Sequence, residues 1–291
     1  MIFKNAMSFK AKIKQIAKEK HITTQQVLQN YLIEIFLEKL AKSPYKNNFI
    51  LKGGYLIGGI IGLDHRATMD LDTTIRGFEL TPEKLTTIAK EIIEIPTDES
   101  FILSFDSVSE IRETDDYPGF KLKLFADFEK IHELVSIDVT TGDAITPREI
   151  EFSIKRLFTD DKLALLSYPL ETILAEKLET ILSRGVASTR PRDYYDVYTI
   201  AKLKWNEINF TTLADALKNT MVKRGPKFQL DDYQVIIGQI KNSQVQHQLW
   251  AKYQREYNYA KDLSFGEVVD FMLKVIETIE AESIKSLEEK K

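Results

Sequence analysis

Residues 50–75 read ILKGGYLIGGIIGLDHRATMDLDTTI, and the order of signals in this stretch decides how the rest of the chain is read. NFILK, residues 48–52, has the apolar make-up of a short strand, and GGYLIGGIIGL then reads as a helix that begins at Gly53 and Gly54. TMDLDTTI, residues 68–75, suits a second strand. Side chains two apart on a strand share a face, so Asp70 and Asp72 stand side by side, with Met69, Leu71 and Thr73 turned the other way. Adjacent carboxylates repel, and burying either one unpaired is costly. A bound cation removes that objection. Mg2+ takes oxygen ligands and is held by one or two carboxylates together with substrate phosphates. Taken alone, D-x-D is also a frequent accident of solvent-facing strands.

What surrounds the pair strengthens the metal reading. Paired glycines between a strand and a helix let a phosphate approach the backbone, where the N–H groups of the first helical turn point at it. Lys52, Arg66 and Thr68 flank that turn as phosphate-binding candidates, although Arg66 could equally be a surface partner of Asp64. Gly58 and Gly59 are better explained by close helix packing. A third carboxylate, Asp138, interrupts the β-branched run LVSIDVTTGD, and on a neighbouring strand it would complete a two-metal arrangement. Asp143, just past that run, is the weaker candidate.

Outward from this centre, Ser8 marks a start for a first helix, and Thr23 with Gln26 forms a capping-box signature for a second. Thr81–Pro82 opens a helix that ends near Pro96. SFILSFDSVSEIRE, FKLKLFADFEK and ELVSIDVTTGD then read as strands, with a turn at DDYPG, residues 115–119. From about residue 160 the segments have helical periodicity, including DDKLALL, PLETILAEKLETILSR, RDYYDVYTIAKL and FTTLADALKNTMVKRG. The expected class is α+β: a mixed sheet with flanking helices over residues 1–150, followed by a mainly helical half over 151–291 that closes a cleft.

Composition bounds the function. The 291 residues carry 29% charged and 43% hydrophobic side chains, as in a folded globular protein. A net charge of -4 offers no global attraction to nucleic acid. With no cysteine, disulfides, thiolate nucleophiles and cysteine zinc sites are excluded, which suits the cytoplasm. No apolar run approaches a membrane span, and the lysine-spaced N-terminus lacks the apolar core of a secretory signal.

Strand, Gly-Gly, helix, a strand with D-x-D and a third aspartate on a later strand together resemble the DNA polymerase β-type nucleotidyltransferase core. More narrowly, ILKGGYLIGGIIGLDHRATMDLDTTI, VSIDVTTGD and ILAEKLETILSRGVASTRPRDYYDVYTI, in that order, resemble the AbiEii family, toxins of type IV toxin–antitoxin and abortive-infection systems. These segments cover about a quarter of the chain. The resemblance implies a nucleotidyltransferase that uses GTP or another NTP and Mg2+. Asp70, Asp72 and Asp138 would be both metal ligands and catalytic residues. It also implies an RNA acceptor, with tRNA favoured, and a separately encoded antitoxin that forms no stable complex with the toxin. Where many nucleotidyltransferases have Gly-Ser, this chain has Gly53-Gly54, so a backbone N–H or Thr68 must replace the serine hydroxyl.

The third segment extends the resemblance to the helical half. Lys177 and Arg184, seven apart on one side of a helix, would face the nucleotide across the cleft, with Lys177 on its phosphates. Asp193 and Asp196 match the family's RD-x-x-D stretch, Lys177 and Asp193 being the catalytic candidates of this half, and Thr180, Arg190 and Arg192 would join the pocket. Without the resemblance, the same residues read as ordinary helix-surface salt bridging.

Two readings from other classes stay open. The missing Gly-Ser serine favours an inactive NTP-binding sensor, and D-x-D alone also suits a metal-dependent glycosyltransferase. MVKRGPKFQL, residues 221–230, and WAKYQREYNYAKD, residues 250–262, mix basic and aromatic residues in the manner of RNA contacts or of helix core. His21, His65, His132 and His247 have no metal-ligand spacing.

Overall fold

A computed structural model describes residues 2–111, 119–229 and 232–288. The turn expected at DDYPG lies outside the described residues, apart from Gly119. Two compact units emerge, one of residues 1–143 and 149–167, the other of residues 144–148 and 168–291.

The first unit opens with α1 (Ala6–Glu19) and α2 (Thr24–Lys42). Asn5, rather than Ser8, caps α1: its side chain accepts from the Ser8 N–H, and Ser8 Oγ in turn accepts from the Asn5 backbone N–H. Ser8 thus serves as the third residue of the helix, where its hydroxyl takes the accepting role that Glu or Gln fills in the usual box. Thr23 and Gln26 form the expected box at α2. Strand β1 (Phe49–Lys52) runs directly into α3 (Gly53–Ile61), and β2 (Leu71–Ile75) and α4 (Pro82–Ile93) follow. Next come β3 (Ile102–Glu110), β4 (Phe120–Phe128), β5 (Ile131–Thr141), β6 (Ile150–Lys155) and β7 (Lys162–Ser167).

The seven strands form one mixed sheet in the order β3-β4-β5-β2-β1-β7-β6. β2–β5 and β1–β7 are parallel, and the other neighbours are antiparallel. One face packs into the core: Leu51, Leu71, Ile137, Val139, Leu122 and Leu124 join the buried face of α2, including Leu32 and Phe36, and that of α4. The alternation that buries these residues turns their neighbours, including Asp72, Asp138 and Lys121, to the opposite face.

The helical reading of DDKLALL is corrected by this sheet. Leu163 and Leu165 are buried at strand spacing, β7 pairs along its whole length with β6, and Ile50 and Leu51 pair with Leu166 and Ser167. An apolar run this short does not separate strand from helix by its period, so pairing partners decide. The sheet unit accordingly extends past residue 150 to Ser167.

In the second unit α5 (Leu170–Arg184), α6 (Pro191–Lys204), α7 (Phe210–Arg224), α8 (Tyr233–Asn242), α9 (Gln244–Glu256) and α10 (Phe265–Glu288) follow one another. Leu174, Leu178, Val197, Leu213, Val268 and Met272 are fully buried in it. Trp250 and Tyr253 of the basic-aromatic stretch are buried as well, which is the helix-core alternative. No described helix is long and apolar enough to cross a membrane.

Candidate active site

The candidate site of the first unit is built by strand register. Lys52 of β1 lies opposite Asp72 of β2, Asp72 beside Asp138 of β5, and Asp138 opposite Lys121 of β4. Four strands therefore present one row, Lys52–Asp72–Asp138–Lys121, on the face away from the core. Hydroxyls peg the two central strands, with Thr73 Oγ1 donating to Asp138 O at 3.2 Å and Thr140 Oγ1 to Thr73 O at 3.3 Å. The expectation that Asp70 shares a strand face with Asp72 is corrected: β2 begins only at Leu71, and Asp70 sits in the bend before it, exposed like Met69 beside it, while Leu71 and Thr73 are buried.

Asp72 explains the glycines. Its Oδ2 lies 3.3 Å from the N–H of Gly54 and takes up an open donor at the start of α3, where Lys52 offers no side-chain cap. A Cβ at Gly53 would stand 2.0 Å from that same oxygen, and Gly53 has φ +65°. Only glycine meets both the left-handed backbone and the carboxylate's approach. At Gly54 a Cβ would stand 3.1 Å from Thr68 Oγ1 and 3.1 Å from Arg66 Nη2. The hydroxyl of Thr68 and the guanidinium of Arg66 thus line the place where a Gly-Ser sequence would put its serine. At Gly58 a Cβ would come within 2.5 Å of the Arg66 carbonyl oxygen, which is the close-packing role. Arg66 itself is buried and donates to Ala67 O at 2.6 Å.

The lysines of the row are engaged. Lys52 Nζ contacts Asp143 at 2.6 Å, and Thr140 Oγ1 donates to the same carboxylate oxygen at 3.1 Å. Lys121 Nζ lies 2.5 Å from Asp138 Oδ1. Burial works to lower the pKa of Lys121, but Asp138, with added attraction from Asp70 and Asp72, outweighs it and raises the pKa. Lys121 is a member of the site that the sequence does not reveal. Its one trace is the alternation in FKLKLFADFEK, which puts Lys121 and Lys123 on the non-core face without saying what lies opposite.

Among the described residues no three Asp, Glu or His side chains are gathered as ligands of one ion. The donor chemistry nonetheless suits a hard cation. Asp72 and Asp138 are neighbours, Asp70 is close enough for its charge to act on Lys121, and an ammonium already sits on Asp138.

The remaining candidates lie in the second unit, in a different environment. Lys177 of α5 reaches Asp193 at 2.6 Å and Asp196 at 2.8 Å on α6, and Arg190 Nε donates to Asp193 at 2.6 Å. Asp193 and Asp196 are 1% and 0% exposed. Burial alone would raise the pKa of Asp193; the charges of Lys177 and Arg190 outweigh it and lower the value to about 2. Thr180 Oγ1 accepts from Arg224 at 2.9 Å, and Arg224 also reaches Glu179 at 2.6 Å. Arg224 was visible in sequence only as part of a basic stretch. Arg184 and Arg192 are exposed.

Comparison with known proteins adds the family. No curated protein matches the chain significantly. Among solved structures, a Helicobacter pylori protein described as a nucleotidyltransferase aligns with TM-score 0.54 and 17% identity over 91% of this chain and 98% of its own. JHP933 from Helicobacter pylori aligns with TM-score 0.50 and 18% identity over 91% and 99%. At such identity the likeness establishes a shared fold. The family model for the nucleotidyl transferase AbiEii toxin of type IV toxin–antitoxin systems matches residues 35–271. Glycine turn, aspartate strand and α5–α6 segment all fall inside that match, and the chain belongs to the AbiEii family of nucleotidyltransferase toxins.

Proposed function

We propose that this nucleotidyltransferase moves a nucleoside monophosphate from an NTP, GTP being one candidate, to an RNA acceptor, with tRNA first among acceptors. The observation that carries the reading is the register that sets Asp72 beside Asp138 next to the Gly53–Gly54 turn. Asp70, Asp72 and Asp138 would hold Mg2+, which when bound neutralises phosphate charge and makes a bound hydroxyl more acidic. An acceptor hydroxyl attacks the α-phosphorus in line, the new P–O bond forms, and pyrophosphate leaves. Asp138 is assigned the proton of that hydroxyl.

The remaining work is positioning and electrostatics. Lys52, Arg66, Thr68 and the N–H groups at Gly53 and Gly54 are assigned to the triphosphate. Thr68 supports this reading against an inactive sensor, because its hydroxyl stands next to the position where Gly54 lacks one. In the second unit, Lys177 and Arg184 are assigned to nucleotide phosphates on the strength of the family resemblance, together with Asp193 and Asp196, which hold Lys177. Membership of a type IV system implies a separately encoded antitoxin; one that makes no lasting complex with the toxin fits this reading.

The test incubates the purified chain with total tRNA, Mg2+ and each α-phosphate-labelled NTP in turn, beside Asp72→Ala. Label on RNA from the wild type alone is the expected result. Equal label from Asp72→Ala would remove the aspartates from the chemistry. NTP binding without label from any nucleotide on any RNA would favour the sensor, and turnover of a sugar nucleotide would favour the glycosyltransferase.

A further inference from the structure

Lys121 is the charged member of the strand row to which the proposed reaction gives no task. It is not a loose surface lysine: its side chain is 33% exposed, and its ammonium sits 2.5 Å from Asp138 Oδ1. Strand pairing puts it there, since Lys121 and Asp138 are direct cross-strand partners in a ladder unbroken from Phe120 to Phe128. Opposite charges placed this way across an antiparallel pair attract and hold one another in position.

The two central aspartates are therefore unequal. Asp72 accepts a 3.3 Å bond from a neutral donor, the Gly54 N–H. Asp138 carries a full positive charge on one carboxylate oxygen. A divalent cation approaching Asp72 meets a dipole at contact and the Lys121 charge at longer range, whereas one approaching Asp138 meets that ammonium in contact and must displace it. At the far end of the row, Lys52 is held by Asp143 at 2.6 Å, so the matching lysine there is turned to a different carboxylate.

Resting on the metal-site reading above, we infer that Lys121 is the resident counter-ion of Asp138 and sets the order in which the site fills. One divalent cation enters at Asp70 and Asp72 in the nucleotide-free protein. A second is admitted at Asp138 only when Lys121 leaves that carboxylate. Lys121 is thus a positioning residue: it acts through Asp138 and keeps the third carboxylate oriented while the second ion is absent.

The test titrates Mn2+ alone into the purified full-length chain without nucleotide and follows free Mn2+ by electron paramagnetic resonance. Wild type, Lys121→Met, Lys121→Arg and Asp72→Asn are compared, with thermal melting of each as a check on folding. The wild type is expected to bind one ion. Lys121→Met, which keeps the aliphatic stem, should bind a second at least about tenfold tighter than any second event of the wild type, as expected for removing a charge at contact distance. Lys121→Arg should stay at one ion, and Asp72→Asn should lose the first.

Two ions on the wild type overturn the inference, and this arm needs no variant to fold. A single ion on a natively melting Lys121→Met overturns it as well. Either result leaves the metal site itself in place. A wild type that binds no Mn2+ overturns the metal site and the inference with it.

Discussion

Two places in this molecule bring lysine and aspartate together, and they do opposite things with them. On the sheet face, Asp70 is exposed, Asp72 and Asp138 are half-buried, and the charges are lined up by register. Between α5 and α6, Asp193 and Asp196 are fully enclosed, with Lys177 between them and Arg190 on Asp193. A buried ion network depends on every partner, because removing one strands an uncompensated charge. A half-exposed row gains little stability from its pairs but leaves its carboxylates within reach of a ligand. Availability, not the number of carboxylates, separates the aspartates that can take a ligand from those that hold Lys177 in place.

The sharpest break of this comparison is Asp72→Ala. Transfer should fall at least about a thousandfold, equivalent to about 4 kcal/mol in the barrier, because the charge at the phosphates is no longer held. Stability in urea should move by less than about 1 kcal/mol, since the lost partner is a single long backbone bond. A variant that unfolds would make the row structural and dissolve the contrast.

Asp193→Asn should do the reverse to stability. Lys177 and Arg190 lose the charge they share, and unfolding should become easier by about 3 kcal/mol, read from the urea midpoint. A midpoint equal to wild type would show that the brace carries no load.

Gly53→Ala tests the link between backbone and site. A methyl group 2.0 Å from Asp72 Oδ2 must push the carboxylate aside, on a backbone at φ +65° that alanine disfavours. A cost of about 2 kcal/mol is expected, together with loss of Mn2+ binding. Unchanged Mn2+ binding would separate the glycine turn from the aspartates.

The smallest effect is with pH. The Asp193 carboxyl has its pKa lowered from an ordinary 3.8 to about 2 in the folded chain. The unfolded chain therefore takes up that proton first as pH falls. The stabilisation, about 2 kcal/mol, is fully present above pH 4 and is lost between about 4 and 2. In urea titrations the gap between wild type and Asp193→Asn should narrow over that window. A gap constant from pH 5 to 2 would mean that Asp193 is not held by its cations.

Local physics made much of this fold legible from the sequence. The Thr23–Gln26 box, the Thr81–Pro82 start and the passage from strand through Gly53–Gly54 into helix depend on residues a few positions apart, and the chain carries those signals itself. The alternation around Asp72 likewise put its carboxylate on the non-core face before β2 had a neighbour, but it did not show the bend that holds Asp70. The AbiEii resemblance rests on the same short segments.

Tertiary structure decided what depends on partners distant in sequence. DDKLALL became strand β7 because β1 and β6 were there to receive its backbone hydrogen bonds. Lys121 met Asp138 through the β4–β5 register, and Lys177 was enclosed because α6 packs its aspartates against α5. A sequence shows which face of an element a side chain takes, since that follows from the element's own period. What stands opposite is set by pairing and packing between remote segments, and that contact turned one set of carboxylates into a brace for Lys177 and left the other within reach of a ligand.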